Sequence, residues 1–398
     1  MRILFTFVGG SGHLDPLIPV ARAAQAAGHV VAVSGRPGMI PRIEAAGFDA
    51  YATGPDGGDS DQKLPLLPPS AEREDQVLRD GFAGHLARAR ATAILDLCAT
   101  WKPELLVCDE VDFGSMIAAE CLGLPYASVV VIASGAFVRA ELLGEKLNEL
   151  RAEHNLPPDP DLTMLSRYLV LAPGPLSFRD PAYPLPATAY AIRPLLPEPA
   201  EGDELPDAIA EWEAAPLVYF TLGTVFNLES GDLFARVISG LRDLPIHLVV
   251  TVGRQIDPAE LGPQPANVRI ERYIPQALLL PRCDLVVSHG GSGSVLGALM
   301  HGLPMVLIPM GADQILNGAR CRALGVASVL DPIALTPDVA AGAVSDVLTN
   351  PAWRRNAGRL QAGIADLPGP DHAVILLEHL LARPVITGDQ YTWGSTRS

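Results

Sequence analysis

The sequence predicts an α/β protein made of two Rossmann-like domains, each with a doubly wound parallel sheet, that face each other across a cleft. Three observations indicate this fold: short apolar segments alternate with helical ones, the alternation occurs twice, and a proline-rich acidic stretch separates the two copies. Parallel strands covered by helices on both faces are expected to be apolar throughout. The chain of 398 residues also fits two or three domains of ordinary size.

The first predicted domain, residues 1–195, begins with a strand that ends in a turn of small residues. Arg2-Ile-Leu-Phe-Thr-Phe-Val8 is mostly apolar and runs into Gly9-Gly-Ser-Gly12. This start resembles a signal peptide, but no small-residue cleavage site completes it, so we interpret it as a strand and expect a cytoplasmic protein. Further strands are predicted at 30–33, 105–108 and 126–133. The irregular stretches 53–69 and 134–186 are expected to supply the loops that bind an acceptor.

The second half repeats this pattern after a linker at 196–214 that is rich in proline and acidic residues. The strand Leu217-Val-Tyr-Phe-Thr-Leu222 ends in the small residues Gly223-Thr224, as the first strand of the chain does. Further strands are predicted at 247–252, 285–287 and 305–309. We place the second domain at 215–370 and assign 371–398 to a terminal helix with an apolar face and a tail.

A glycine-rich turn in the second half, His289-Gly-Gly-Ser-Gly-Ser294, predicts an anion-binding site. It lies between an apolar strand and a helical segment. Glycines let backbone N–H groups approach an anion, and a helix N-terminus adds about half a positive charge, so a diphosphate is the natural ligand. The turn has Leu296 where a dinucleotide fingerprint has its third glycine, and it lacks the Gly-Lys-Ser/Thr of a P-loop. A structural tight turn with a buried histidine is the alternative.

An acid and an amide, Asp313 and Gln314, follow the next predicted strand along the chain. Neighbouring strands of a parallel sheet deliver their C-terminal loops to one cleft, so we expect both side chains beside the glycine-rich turn. Carboxylate and amide oxygens next to a bound diphosphate suit the hydroxyl groups of a sugar.

His13 is the candidate general base, because it follows the first strand and should lie at the edge of the cleft. A histidine titrates near neutral pH and can take the proton of an attacking hydroxyl. A capping or packing histidine is the alternative. Asp109, at the end of a predicted strand, or Asp112 could hold the imidazole as the acid of a triad does. Asp15 is expected to cap the first helix.

Composition limits the partners. The net charge of −16 argues against nucleic acid and against an anionic membrane surface. The longest apolar stretch, 126–133, is too short to span a bilayer. Five cysteines form no pairs or CxxC motifs and are interpreted as free thiols, and no clustered ligand set predicts a metal.

In these motifs the chain resembles a family 1 glycosyltransferase of the two-domain GT-B type, close to bacterial enzymes that glycosylate natural products. The glycine-rich turn with Asp313-Gln314 is similar to the nucleotide-sugar signature of that family, and Gly12-His13-Leu-Asp-Pro16 and Phe220-Thr-Leu-Gly-Thr224 also match its motifs. The resemblance favours Asp109 over Asp112 as the partner of His13. It assigns donor binding to Gly12, Thr224, Tyr273, Ile274, Gln276, His289, Gly290, Gly291, Ser292, Gly293, Ser294, Asp313 and Gln314.

The resemblance implies an inverting, metal-independent transfer to a hydroxyl of a hydrophobic, polyketide-like aglycone in antibiotic biosynthesis. It implies no cofactor beyond the nucleotide-sugar cosubstrate, and it leaves a homodimer open. Plant members carry a base-stacking tryptophan where this chain has Tyr273, so either Tyr273 or the backbone near Ile274 takes that role. Their ribose-gripping acid is Gly297 here, which favours a dTDP-sugar. The resemblance also implies that the terminal helix crosses back onto the first domain.

Several alternatives stay open at the level of sequence. A UDP-sugar could replace the dTDP-sugar, and a nucleotide-sugar epimerase or a binding-only partner could use the same fold. The presence of both His13 and Asp109 argues against binding alone. A membrane-associated lipid glycosyltransferase should show a basic, apolar patch in the first domain, and the run Asp56-Gly-Gly-Asp-Ser-Asp61 offers none. A dehydrogenase is disfavoured because neither glycine-rich turn has the required spacing.

Overall fold

A computed structural model of the protein describes residues 1–55, 62–200, 202–210, 212 and 215–382. Within them the first sheet has seven parallel strands. They are β1 Arg2–Thr6, β2 Val30–Gly35, β3 Asp49–Ala52, β4 Leu105–Asp109, β5 Tyr126–Val129, β6 Leu169–Pro173 and β7 Ala189–Ile192. The spatial order is β3-β2-β1-β4-β5-β6-β7. The second and third strands extend the sheet on one side of β1 and the later strands extend it on the other, so the order of addition reverses between β1 and β4. The cleft lies beyond this reversal, at the carboxyl ends of the strands.

The second sheet has six parallel strands in the order β10-β9-β8-β11-β12-β13. They are β8 Leu217–Thr221, β9 His247–Thr251, β10 Val268–Glu271, β11 Leu285–Ser288, β12 Met305–Leu307 and β13 Ala327–Val329. Its direction also reverses at its first strand, between β8 and β11. The predicted fold of two parallel-sheet α/β domains is therefore confirmed.

Helices cover both faces of the two sheets. They are α1 Ser11–Leu14, α2 Ile18–Ala26, α3 Ile40–Ala45, α4 Ala71–Gln76, α5 Ala87–Trp101, α6 Phe113–Leu122, α7 Ala140–Glu153, α8 Asp207–Ala210, α9 Leu233–Leu241, α10 Gln276–Leu279, α11 Ser292–Met300, α12 Gln314–Ala323, α13 Pro337–Thr349, α14 Pro351–Ala365 and α15 Pro370–Ala382. A π-helical segment, Val77–Leu86, joins α4 to α5. No helix of the described ranges is long and apolar enough to cross a membrane.

The central strands are buried on both faces, as parallel strands between helices must be. Every residue of β4 is buried, and β1 is buried from Ile3 to Thr6. The stretch 134–186, expected to be irregular apart from a helical run, contains the strand β6 as well as α7. The apolar sequence Leu169-Val-Leu-Ala172 pairs in parallel with β5 on one side and β7 on the other.

The last helix of the described chain packs on the first domain. Val374, Leu377 and Leu380 of α15 are buried in the same apolar core as Val20 and Ala24 of α2. The second domain has its own apolar clusters on the two faces of its sheet. The predicted tail after residue 382 and the run 56–61 lie outside the described residues.

Candidate active site

His13 lies in α1, directly after the turn that ends the first strand. Gly9 has φ +102°, and a Cβ there would lie 2.8 Å from Cδ2 of the His13 ring. The turn therefore needs glycine for its conformation and for the space that the imidazole occupies. The ring also stacks on Phe82 of the π-helical segment, with centroids 5.9 Å apart and planes inclined by 22°.

Asp109 is fully buried at the end of β4. Its Oδ2 accepts from the Val8 N–H at 2.8 Å, and its Oδ1 accepts from the Val111 N–H at 2.7 Å. Nδ1 of His13 lies 3.3 Å from Asp109 Oδ2, within ion-pair distance but not aligned as a hydrogen bond. Backbone amides thus fix the carboxylate, and the carboxylate faces an imidazole that is 24% exposed to the cleft.

The surroundings of His13 favour its protonated form. Burial alone would lower the pKa of the imidazole, but the negative charges of Asp109, Asp313 and Glu110 outweigh burial and raise that pKa above its ordinary value of 6.5. A raised pKa makes the ring a stronger base towards a nearby hydroxyl and stabilises the imidazolium that forms.

The other two acids of this region, Asp112 and Asp15, have different partners. Asp112 is buried against the guanidinium of Arg90, with Nη2 to Oδ2 at 2.6 Å, and its side chain also accepts from the Ser115 N–H at the start of α6. Asp15 was expected to cap the first helix, and this expectation is wrong. Asp15 lies at the C-terminal end of the short α1, where it cannot cap the helix N-terminus. Its carboxylate instead accepts from Arg42 at 2.7 Å, and the residue lines a cavity in the cleft.

The glycine-rich turn leaves β11 and enters α11 across the cleft from His13. Gly290 has φ +88°, which turns the chain sharply before α11 begins at Ser292. Gly293 is exposed and lines the cavity. Because the first N–H groups of a helix have no partners within it, those of Gly293 and Ser294 can donate to an anion.

His289 is wedged between two glycines. A Cβ on Gly223 would lie 2.7 Å from the His289 ring, and a Cβ on Gly291 would lie 2.6 Å from its Nε2. Burial lowers the pKa of His289 to about 4, so the ring is neutral at physiological pH. Its Nδ1 is buried and has no hydrogen-bond partner among the described residues. It can therefore contribute a hydrogen bond, not a charge, to a ligand.

Asp313 lies beside the glycine-rich turn, as expected from the order of the strands. Its Oδ2 accepts from the Ser292 hydroxyl at 2.6 Å and from Asn317 Nδ2 at 2.7 Å. Burial raises the pKa of this carboxyl, while its hydrogen bonds to Ser292 and Asn317 oppose the rise. These hydrogen bonds and that from the Ser292 N–H all use Oδ2, which leaves Oδ1 for a ligand.

Gln314 does not present its amide oxygen to the cleft as predicted. The side chain is only 1% exposed, and Oε1 accepts from the Met310 and Gly311 N–H groups at 2.8 and 3.3 Å. The side-chain amide therefore stabilises the loop that precedes it, in which Ala312 has the left-handed φ of +51°. The sequence could not reveal this use, because a glutamine after a strand fits both a ligand contact and a loop closure.

The predicted nucleoside-binding residues lie at one end of the same cleft. The Tyr273 ring is 54% exposed, with the Arg254 guanidinium 5.8 Å from its centroid. The Ile274 side chain is buried in the apolar core, which leaves only its backbone for a ligand. Gln276 lines the cavity at the start of α10. Of the two residues that sequence offered for base stacking, Tyr273 has the accessible ring.

A cavity that is open to solvent runs between the two domains. Gly12 and Asp15 line it from the first domain, and Ser292 and Gly297 line it from the second. Its remaining wall is largely apolar and comes from β5 to β7, α2, α11 and the linker. Thr224 stands at the same junction, where its hydroxyl lies 3.2 Å from that of Ser11.

Sequence reasoning missed three parts of this site: Phe82, Glu110 and Asn317. Phe82 carries no motif and is recognised only by its stacking on His13. Burial raises the pKa of Glu110 to about 7, against the charge of Arg179. Asn317 is fully buried and follows Asp313 by one helical turn, so an i, i+4 polar pair at the start of a helix was the available signal.

No group of three or more His, Cys, Asp or Glu side chains that could hold a metal ion occurs in the part of the chain that the structure describes. The five cysteines are free, as predicted.

Comparison with known proteins agrees with this architecture. A family model described as "Erythromycin biosynthesis protein CIII-like, C-terminal domain" matches residues 235–380. The chain is 30% identical to L-demethylnoviosyl transferase of Streptomyces niveus over 338 residues, covering 82% of this chain and 84% of the relative. It is 28% identical to tylactone mycaminosyltransferase of Streptomyces fradiae, covering 96% and 93%. Spinosyn rhamnosyltransferase SpnG, complexed with thymidine diphosphate, matches with a TM-score of 0.79 at 24% identity, covering 95% and 100%.

Two parallel-sheet domains that place a histidine and an acid opposite a glycine-rich turn define an enzyme of the GT-B fold. The chain belongs to the bacterial glycosyltransferases of natural-product biosynthesis. It is an enzyme that transfers a sugar, and the family predicted from its motifs is confirmed.

Proposed function

We propose that this enzyme transfers a deoxysugar from a dTDP-sugar, with inversion and without a metal, to a hydroxyl of a hydrophobic natural-product aglycone. The observation that carries the proposal is the pair formed by His13 and Asp109, whose Nδ1 and Oδ2 lie 3.3 Å apart at a cleft that also contains the glycine-rich turn. A base on one side of the cleft and an anion site on the other suit a direct displacement at the anomeric carbon of a bound sugar. We also assign the enzyme to family 1, because its glycine-rich turn and Asp313-Gln314 are similar to the nucleotide-sugar signature of that family.

In the proposed step, His13 removes the proton of the acceptor hydroxyl while its oxygen attacks the anomeric carbon. The new C–O bond forms as the bond from that carbon to the diphosphate breaks, and the diphosphate leaves with the electron pair. Attack from the face opposite the leaving group inverts the anomeric configuration. Asp109 stabilises the imidazolium that results, as the acid of a triad does.

The developing charge on the leaving diphosphate would meet the backbone N–H groups at Gly293 and Ser294 and the neutral ring of His289. Hydrogen-bond donors held in place before the reaction stabilise such charge most effectively. Asp313 Oδ1 is the candidate acceptor for a hydroxyl of the transferred sugar. We assign the remaining donor contacts to Gly12, Thr224, Gly290 and Gly291.

The preference for dTDP rests on the absence of a ribose-gripping carboxylate at position 297. A Cβ on Gly297 would lie 3.1 Å from Cδ2 of Leu196, so an apolar linker side chain fills the space near that position. Deoxyribose lacks the hydroxyl that such a carboxylate would bind. The solved relative SpnG carries thymidine diphosphate, which is consistent with this assignment.

The acceptor is assigned to the first domain on the side of His13 that faces Phe82. An aromatic ring stacked on the base forms an apolar wall for a flat or macrocyclic aglycone. The largely apolar first-domain face of the cleft agrees with a hydrophobic acceptor.

Calorimetry with dTDP and UDP tests the donor assignment. We expect the unmodified protein to bind dTDP more tightly than UDP, and His289→Ala to lose most of the dTDP affinity. His301→Ala is the matched control, because His301 ends α11 on the far side from the glycine-rich turn. Equal binding of UDP would overturn the dTDP preference, and full affinity in His289→Ala would overturn the assigned diphosphate site.

A transfer assay then tests the reaction itself. Purified enzyme, a panel of dTDP-deoxysugars and hydrophobic aglycones should yield a glycoside by mass spectrometry, with and without a metal chelator. NMR of the product should show the anomeric configuration opposite to that of the donor. A product with retained configuration would contradict the single-displacement mechanism.

A further inference from the structure

The two domains are joined beside the glycine-rich turn by a small set of buried polar contacts. Ser292 Oγ of the second domain accepts from the Ala133 N–H of the first domain at 2.8 Å. Asn317 Oδ1 of the second domain accepts from the Ser134 N–H at 3.3 Å. Both backbone donors belong to one segment of the first domain, which we call the 131–134 loop.

Asn317 is at the centre of these contacts. It is fully buried. Its Nδ2 lies within hydrogen-bonding distance of three oxygens, those of the Gly290 carbonyl, the Ser292 hydroxyl and the Asp313 carboxylate, at 3.0, 3.1 and 2.7 Å. The amide therefore uses its nitrogen to hold the glycine-rich turn and its oxygen to hold the other domain. A buried amide with satisfied partners at both ends strongly favours one arrangement of the groups around it.

The 131–134 loop is anchored at its other end to Glu110, the residue that follows the predicted catalytic acid. Glu110, the neighbour of Asp109 in sequence, accepts from the Val131 and Ile132 N–H groups at 2.7 and 2.5 Å through Oε1. A continuous series of hydrogen bonds and short chain segments thus runs from Asp109 to Asn317. It connects the side of the cleft that holds the base to the side that holds the diphosphate site.

We propose that Asn317 is a positioning residue that aligns the glycine-rich turn with the 131–134 loop, so that donor and base meet in reactive geometry. This role rests on the proposed function for its kinetic consequence, but the contact itself can be measured without any substrate. Transfer between two bound molecules is sensitive to small displacements, and a misplacement of about 1 Å can reduce the rate about 100-fold.

Hydrogen–deuterium exchange of the free enzyme tests the contact directly. We expect Asn317→Ala to speed exchange of the 131–134 amides by about tenfold or more, because it removes an acceptor and releases Ser292. Asn317→Asp keeps an oxygen for the Ser134 N–H but loses the donors and places a second carboxylate against Asp313, so it too should speed exchange of the loop. Equal exchange in Asn317→Ala and the unmodified enzyme would overturn the proposal.

Two matched variants control for general effects. Asn356→Ala removes an amide of the same domain that donates to the Gly325 carbonyl at 3.0 Å, away from the cleft. Arg320→Ala removes another interdomain contact of α12, from the guanidinium to the Ser177 and Phe178 carbonyls at 2.7 and 2.9 Å. Asn356→Ala should not change exchange of the 131–134 loop, and Arg320→Ala should speed it less than Asn317→Ala does, because Arg179 and Asp180, next to the carbonyls that Arg320 holds, themselves bind the loop. If both accelerate it as much as Asn317→Ala does, the effect is general loosening and the proposal fails.

Kinetics then separate positioning from donor binding. In Asn317→Ala we expect kcat to fall by about tenfold or more at saturating donor, beyond any change in the donor Kd measured by calorimetry. Ser292→Ala should lose a similar factor, and the double variant should lose no more than either single change, because the two side chains act as one unit. If the change in Asn317→Ala lies entirely in the donor Kd, Asn317 acts only in donor binding and the positioning role is wrong. Absence of any transfer by the unmodified enzyme would instead contradict the proposed function and leave the exchange result standing.

Discussion

Nδ1 of His13 and Oδ2 of Asp109 lie 3.3 Å apart, while the Val8 N–H donates to the same carboxylate oxygen at 2.8 Å. The backbone of the first strand therefore fixes the acid, and the acid faces the base through a longer contact. Such contacts are often loose before substrate binds and tighten in the reactive complex. Several predictions about catalysis depend on this pair.

Replacement of His13 by alanine should remove general-base catalysis. We expect kcat to fall by about 100-fold to 10,000-fold with little change in the affinity for dTDP, because the ring lies on the acceptor side of the cleft. Steady-state kinetics and calorimetry measure the two quantities. His379→Ala, an exposed change on α15, is the control. A His13→Ala enzyme with unchanged kcat would show that another group accepts the proton.

The rate of transfer should rise with pH through the raised pKa of His13. Only the neutral imidazole accepts a proton, and nearby negative charge keeps the ring protonated to a pH above its ordinary value of 6.5. Asp109→Asn removes the charge that raises the pKa of His13 most. Burial should then dominate, so the midpoint of the pH–rate profile should move to lower pH while kcat falls. Glu110 titrates in the same range, with a pKa of about 7, so the profile is repeated in Glu110→Gln. A midpoint that moves in Glu110→Gln but not in Asp109→Asn would assign the titration to Glu110.

Asp112→Asn should destabilise the fold, in contrast to Asp109→Asn. The change leaves the guanidinium of Arg90 buried without its counter-charge and should lower the free energy of unfolding by about 3 to 5 kcal/mol. Burial opposes ionisation of Asp112, but Arg90 outweighs it and lowers the pKa of this acid. The stabilisation is thus present above the pKa of the unfolded chain and lost as pH falls through the folded pKa, so the difference should shrink in acid. Denaturant titrations at several pH values measure it.

Gly223→Ala should damage the diphosphate site without removing any of its hydrogen-bonding groups. The new Cβ would lie 2.7 Å from the His289 ring at a position with φ +76°, so both the ring and the turn must move. We expect a loss of about 1 to 3 kcal/mol in stability and a weaker affinity for dTDP. Gly144→Ala, in α7 with nothing within 4 Å of its Cβ, should be neutral or stabilising. Thermal unfolding and calorimetry of both variants provide the comparison.

The donor preference should change when space and charge are altered together at position 297. Gly297→Glu alone crowds Leu196 and should weaken binding of both nucleotides. Combined with Leu196→Ala, the glutamate gains room and can accept from a ribose hydroxyl, so the ratio of UDP to dTDP affinity should rise by about tenfold. An unchanged ratio in the double variant would show that position 297 does not read the ribose.

The fold could be predicted from the sequence because its signals are local. Each buried strand is a short apolar run, and each first strand ends in small residues where the topology needs a sharp turn. β6 was missed because its apolar residues run into Pro173-Gly174-Pro175, within a stretch interpreted as loops. The terminal helix was predicted to begin near residue 371 and begins at Pro370, since its apolar residues repeat at helical spacing.

The site was only partly predictable, for a physical reason. His13, His289 and Asp313 follow strands or turns whose positions the topology dictates, so their shared cleft could be foreseen. Gln314, Asn317 and Asp15 have roles decided by which partner lies within 3 Å across a loop or a domain boundary. Residue type and spacing do not encode such distances, and the carboxylate of Asp15 finds Arg42, not a helix end.

The position of α15 affects the order in which this enzyme can fold. Val374, Leu377 and Leu380 complete an apolar core whose other members come from the first half of the chain. During synthesis the ribosome must finish the entire second domain before that last helix can dock. The core of the first domain therefore stays incompletely covered while the second domain forms. This order differs from the usual one, in which the N-terminal domain completes its folding first.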